Sequence, residues 1–164
     1  MTDQELIEFK EIYRRNIDSV YQTAFIHMKN RSDAEDTVQT VFMKYITLKP
    51  VFKNPVHEKA WFIVAVRNHC RDMLRSWWLS GRTESDSEKT EEFFRDREDG
   101  YITEAVLRLP KKYRELIHLY YYEEYSNSEI ARMLGINEST VRSRMMRARD
   151  RLKRIIEKEK QKNE

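Results

Sequence analysis

The chain is short of the residues that break helices: among 164 residues there are only 3 Gly and 3 Pro. A sandwich or barrel of many short strands needs Gly and Pro at its turns, so an all-β architecture is excluded. With glycines at 81, 100 and 135 alone, no Gly-rich loop that cradles phosphates can be built. One cysteine, Cys70, rules out an internal disulfide framework and a cysteine-based zinc site, and it suits a reducing compartment. Long apolar runs are missing too. The longest, Ala60 to Val66, is far too short to cross a bilayer, and the acidic N-terminus lacks a signal-peptide pattern, so a cytoplasmic protein is expected.

Charge is plentiful. Asp, Glu, Lys and Arg make up 36% of the residues against 40% hydrophobic ones, a helical composition. The formal charge of +3 is unevenly spread. Residues 1–80 hold 12 basic and 10 acidic side chains, residues 81–100 hold 4 and 8, and residues 101–164 hold 15 and 10. The middle stretch, GRTESDSEKTEEFFRDREDG, has few apolar residues besides Phe93 and Phe94 and reads as a flexible acidic linker. The expected fold is therefore all-α: a helical lobe over 1–80, a linker over 81–100 and a second helical lobe over 101–164.

In the first lobe, Ile12, Ile17, Val20, Ala24, Phe25 and Met28 recur at helical spacing. A second helix from Ser32 or Asp33 carries Ala34, Val38, Val41, Phe42, Tyr45 and Ile46, and Pro50 ends it. A third, from about His57 to Trp78, offers Trp61, Val64, Cys70, Met73, Leu74 and Trp77 to a three-helix core. The second lobe shows helical patterns over Ile102–Leu109, Lys112–Glu123, Ser128–Leu134 and Glu138 to about Lys158. Ser126 with Glu129 makes a capping box, and Asn137 suits the N-cap of the last helix.

Within Asn127 to Met146, Ala131, Gly135 and Val141 occupy the fifth, ninth and fifteenth places of a twenty-residue helix-turn-helix frame. Ala131 is small where two helices cross, Gly135 permits a left-handed turn, and Val141 locks the second helix against the first, with Ile130 and Leu134 completing the buried side. On the last helix, Val141, Met145, Ala148 and Leu152 form an apolar stripe. The opposite side is basic: from Glu138 to Arg154 seven Lys or Arg residues face two acidic ones. Such a helix attracts phosphates, and arginines near its start can donate two hydrogen bonds to a guanine edge.

The chain as a whole resembles a bacterial sigma factor of the extracytoplasmic-function group. Three segments carry the resemblance, in the family's order: DAEDTVQTVFMKY at Asp33 to Tyr45, AWFIVAVRNHCRDMLR at Ala60 to Arg75, and LPKKYRELIHLYYYEEYSNSEIARMLGINESTVRSRMMRARDRL at Leu109 to Leu152. The resemblance implies that the first lobe binds core RNA polymerase and opens the minus-ten promoter element, while the second reads the minus-thirty-five element. It assigns polymerase contact to Asp36 and Gln39, which share a helical face, although ordinary solvated polarity is the plain reading of the same residues. Phe52 and Asn68 match positions that hold a flipped minus-ten base, although core plug and surface amide are the ordinary readings of the same residues. Arg67 and Arg71, with Arg75 in step, suit promoter phosphates or a solvated face with Asp72 as partner. Arg142, Ser143, Met146 and Arg147 would face minus-thirty-five DNA.

The resemblance further implies no catalytic residues, no small-molecule substrate, an anti-sigma partner that is often membrane-anchored, and a role in a stress or envelope-signal response. A single E-x-x-H, Glu115 with His118, is too little for a di-iron site, and no cofactor or metal is expected. Cys70 beside His69 reads as a buried core residue. Two rivals remain: a helix-turn-helix regulator with a sensing or dimerising first lobe, and a protein that sequesters polymerase.

Overall fold

A computed structural model describes residues 1–81 and 100–162. Residues 82–99, which contain most of the expected linker with Phe93 and Phe94, lie outside the described residues. The described chain is helical, with no strand: α1 (Asp3–Met28), α2 (Arg31–Leu48), α3 (Pro55–Ser80), α4 (Gly100–Leu107), α5 (Lys111–Ile117), α6 (Asn127–Leu134) and α7 (Glu138–Lys162). The chain divides into two compact units, Met1–Ser85 and Asp86–Glu164. No described helix is long and apolar enough to cross a membrane.

In the first unit each helix boundary has a local cause. Thr2 accepts from the Glu5 N–H while Glu5 bonds back to Thr2, a capping box that starts α1. Asn30 caps α2 by accepting the Asp33 N–H at 2.8 Å, and Asn54 caps α3 by accepting the His57 N–H at 2.8 Å. Pro55 sits inside the first turn of α3, where its missing N–H costs nothing, so α3 begins before the expected His57.

The three helices pack on one another around Val20, Ala24 and Met28 of α1, Ala34, Val41 and Phe42 of α2, and Phe62, Ile63, Val66 and Cys70 of α3. Each large member contributes roughly 1.5–3 kcal/mol by burial. The expected core face of α3 needs correction. Cys70 and Trp77 are buried, but Trp61, Val64, Met73 and Leu74 are only half-buried. Trp61 and Val64 lie roughly 140° and 160° around the axis from the fully buried Val66, on the side away from the core. One polar clamp crosses the interface: buried Glu58 accepts from Arg15 Nε and Nη2, both at 3.1 Å, and from Asn16 Nδ2 at 2.7 Å.

The second unit packs α4, α5 and α6 against α7, around Val106, Leu109, Leu116, Ile130, Val141 and Met145. Gly100, expected as the last linker residue, is instead the buried first residue of α4. The expected single α-helix over Lys112–Glu123 also differs. After Ile117 the chain widens into a π-helical turn, His118–Tyr122, in which the Glu123 N–H reaches the His118 carbonyl at 3.1 Å. The turn sets buried His118 Nε2 at 3.4 Å from buried Glu123 Oε1, so the E-x-x-H histidine is engaged by a carboxylate inside its own unit.

Candidate nucleic-acid and partner interfaces

The helix-turn-helix is assembled from short-range bonds. Ser126 Oγ accepts the Glu129 N–H at 3.1 Å and Glu129 Oε1 accepts the Ser126 N–H at 3.0 Å, and hydrogen bonding to the carboxylate from Ser126, chiefly from its backbone N–H, holds the Glu129 carboxyl below its usual range. Gly135 takes φ 67°, ψ 35°, the left-handed conformation expected of it. The Ile136 N–H then reaches the Ala131 carbonyl at 3.1 Å, and the Val141 N–H the Asn137 carbonyl at 3.1 Å, which turns the chain into α7. Burial pushes the Tyr125 phenol up to about 12, with the carboxylates of Glu123 and Glu129 adding to the effect.

Val141, Met145 and Ala148 are completely buried, while Leu152, further along, is half-buried. The expected reading face therefore points outward: Arg142, Met146 and Arg147 are exposed, Met146 by 66%, and Ser143 is half-buried beside them. Arg142 Nη1 holds Glu138 Oε1 at 2.9 Å one turn back. Later arginines are occupied differently. Arg149 Nε donates to Tyr121 Oη at 2.7 Å, and its guanidinium lies 5.3 Å and 5.7 Å from the ring centres of Tyr120 and Tyr121. Arg151 stands 5.6 Å from the ring of Tyr113. These contacts give both residues structural work within the unit, which charge counting alone could not show.

On α2, Asp36 and Gln39 are exposed on one side of the helix. Met43, 55% exposed and four residues beyond Gln39, extends that side with an apolar anchor. The spacing that groups Asp36 with Gln39 would also have found it.

Phe52 is half-buried in an aromatic cluster. Its ring lies nearly parallel to Tyr45, 6.3 Å and 13° away, and meets His57 at 5.6 Å and Trp61 at 5.9 Å edge to face. The loop beneath it is pinned by the Lys53 N–H on His57 Nδ1 at 3.2 Å. Asn68 is half-buried two turns past Trp61 on the same side of α3, about 10 Å along the helix. Phe52 thus reaches Trp61, and the ring contacts do not extend to Asn68. Arg67, Arg71 and Arg75 share one side of α3, Arg67 half-buried and the others exposed, with Arg71 Nε 3.5 Å from Asp72 Oδ1.

Against known families, residues 12–79 match Sigma-70 region 2 and residues 99–152 match Sigma-70, region 4. RNA polymerase sigma factor SigV of Bacillus subtilis (strain 168) is 33% identical over 132 residues, covering 78% of each chain. ECF RNA polymerase sigma factor SigM of the same strain is 31% identical over 159 residues, covering 88% of this chain and 93% of its own. This chain belongs to the extracytoplasmic-function (ECF) RNA polymerase sigma factors. A solved sigma factor RpoE, crystallised with the anti-sigma factor NepR from Bartonella quintana, shares the fold with a TM-score of 0.69 at 21% identity, over 92% of this chain and 97% of its own. In this ECF sigma factor the region 2 match spans most of α1 through α3, and the region 4 match spans α4 through the middle of α7.

Proposed function

We propose that this ECF sigma factor binds core RNA polymerase through the Asp36, Gln39 and Met43 side of α2 and directs it to promoters through two further faces. Arg142, Ser143, Met146 and Arg147 of α7 enter the major groove of the minus-thirty-five element. Phe52 and Asn68 hold an extruded minus-ten base, Phe52 as part of an aromatic wall and Asn68 through its amide, while Arg67 and Arg71 hold the flanking phosphates. The observation that supports this reading best is α7 itself. A stripe of three completely buried residues fixes the helix from behind, and two exposed arginines stand in its first turns, where a guanidinium can form paired bonds to guanine.

The division of labour follows from the chemistry. Exposed carboxylate and amide groups flanking an apolar anchor suit a protein partner, and a basic helix suits DNA. Nucleotide addition belongs to the polymerase, so the sigma factor supplies no catalytic group and works in the cytoplasm, where polymerase is. An anti-sigma protein that covers these faces would hold it inactive until a stress or envelope signal arrives.

Runoff transcription with purified core polymerase tests the reading. The chain should confer initiation at defined promoters. A requirement for another sigma factor would instead mark a helix-turn-helix regulator, and inhibition of transcription would mark a sequestering protein.

A further inference from the structure

Oxidisable sulfur is scarce at the surface of this sigma factor. Its one thiol, Cys70, is completely buried, so an oxidant in solvent meets methionine instead. Of the seven methionines, Met28 and Met145 are buried, and Met73 and Met133 are half-buried. Apart from Met1 at the chain end, the exposed ones are Met43 and Met146, at 55% and 66%.

Helix geometry alone sets Met146 apart from its neighbour. One residue turns α7 by about 100°, which takes the side chain from the core that encloses Met145 to the outer face. There the thioether holds no fold together, and leucine, close to methionine in helix propensity, would offer similar apolar surface. What methionine adds at this position is a sulfur within reach of oxidants. The surroundings give its oxidation a consequence. Arg142 lies four residues back on the same side of the helix and Arg147 follows directly, both exposed. Helical side chains lean toward the N-terminus, which brings Met146 back over the turn of Arg142. A thioether is apolar and a weak acceptor, whereas a sulfoxide is polar and its oxygen accepts readily from a guanidinium. Oxidation therefore replaces an apolar contact with base edges by a hydrated group, and it gives Arg142 an acceptor that competes with guanine.

We propose that Met146 is a reversible oxidation site through which peroxide weakens binding to the minus-thirty-five element. This role rests on the placement of α7 in the major groove proposed above. In the forward step the thioether sulfur attacks one oxygen of hydrogen peroxide. The O–O bond breaks, an S–O bond forms, and the departing hydroxide takes the remaining proton and leaves as water; the sulfur is oxidised by two electrons and the peroxide is reduced. In the reverse step a thiol-dependent methionine sulfoxide reductase removes that oxygen as water while two thiols become a disulfide.

For the test, the full chain is treated with hydrogen peroxide, freed of it, assembled with untreated core polymerase and purified as holoenzyme, so that only intact complexes are compared. Peptide mass mapping should show one added oxygen on Met146 and none on Met145, with the melting temperature of the free chain unchanged. Affinity for the preferred duplex from a minus-thirty-five library should fall by about ten-fold. Methionine sulfoxide reductase with dithiothreitol should restore it. Met146→Leu, compared with its own untreated form, leaves Met1 and Met43 open to peroxide and should show no such fall. Failure of Met146 to take up oxygen while Met43 does, unchanged affinity with the sulfoxide in place, a loss that tracks a lowered melting temperature, or an equal loss in Met146→Leu would each overturn the redox role alone. An untreated wild-type holoenzyme with no preference among minus-thirty-five sequences would overturn the placement of α7, and this inference with it.

Discussion

Replacing Arg147 by Ala removes an exposed guanidinium while leaving the buried Met145 and Ala148 on either side of it in place. If Arg147 makes two hydrogen bonds to a guanine, the loss is about 1–3 kcal/mol, roughly 5- to 150-fold in affinity, concentrated at one base pair. A phosphate contact would weaken all sequences alike and lower the salt slope by about one unit. Arg142 differs in its starting state, because DNA must first take its guanidinium from Glu138. That exposed pair, 2.9 Å long and four residues apart, is worth about 0.3–0.5 kcal/mol. The cost of Arg142→Ala should fall short of a full base contact by about that amount, and Glu138→Ala should tighten binding slightly. Arg149 supplies the internal control. Its bond to Tyr121 and its place over two rings make Arg149→Ala a stability change of about 1–2 kcal/mol with base preference intact.

The assay is holoenzyme binding to a library of minus-thirty-five duplexes at several salt concentrations, beside thermal melts of the free variants. Unchanged affinity and base preference in both Arg142→Ala and Arg147→Ala would refute the placement of α7 in the major groove. A loss of base preference in Arg149→Ala alone would move the reading face one turn further along the helix.

Three other outcomes follow from the structure. The double variant Asp36→Ala, Gln39→Ala should weaken core polymerase binding about ten-fold without altering the unfolding midpoint, since both residues are solvent-facing; equal core affinity would sink the assignment. Gly135→Ala should destabilise the second unit by about 1 kcal/mol, through backbone strain at φ 67° alone because a Cβ there meets nothing, and an unchanged melt would show that the turn relaxes. Burial, with Lys44 adding and Asp72 opposing, holds the His69 imidazole below its ordinary 6.5. The unfolded chain therefore takes up that proton first as pH falls through 6.5, and stability drops until the folded protein is protonated too. His69→Gln should flatten the urea-midpoint profile in that window, and an identical slope in the variant would remove His69 as the cause.

Features set by near neighbours in the chain are legible in the sequence alone. The Ser126–Glu129 box and Gly135 each act over a few residues, so their roles follow from residue type and spacing, and each is found in place. The stripe of Val141, Met145 and Ala148 is equally plain, because one helix packed along one side keeps a simple period. The period also makes Arg142, Met146 and Arg147 outward-facing, although their partner in promoter DNA comes from family resemblance. On α3 apolar identity misleads: Trp61 and Val64 read as core but lie opposite Val66, where Trp61 meets Phe52 in the aromatic cluster. The π-helical turn after Ile117 leaves no mark, because one extra residue in a turn does not show in a bulky run such as His118 to Tyr122. Nor does Arg149 differ by sequence from Arg147, since what separates them is a hydroxyl 28 positions away.

The Glu58 clamp shows most clearly why such gaps exist. A glutamate in the first turn of a helix ordinarily answers the helix dipole and faces water. Glu58 is instead buried, and the residues that make this tolerable, Arg15 and Asn16, lie 43 and 42 positions earlier on another helix. No local pattern predicts that pairing. Its energetic value is modest, because Arg15 remains half-exposed and solvent screens it, and a hydrophobic replacement of the whole cluster could fold as stably. What hydrophobic packing lacks is direction. Two guanidinium bonds and one amide bond to a single carboxylate are satisfied at only one axial position of α3 against α1, whereas neighbouring apolar ridges offer several. That position sets how far Asn68, Arg71 and Arg75 project along the unit. A buried charge at that point of the bundle serves register more than stability.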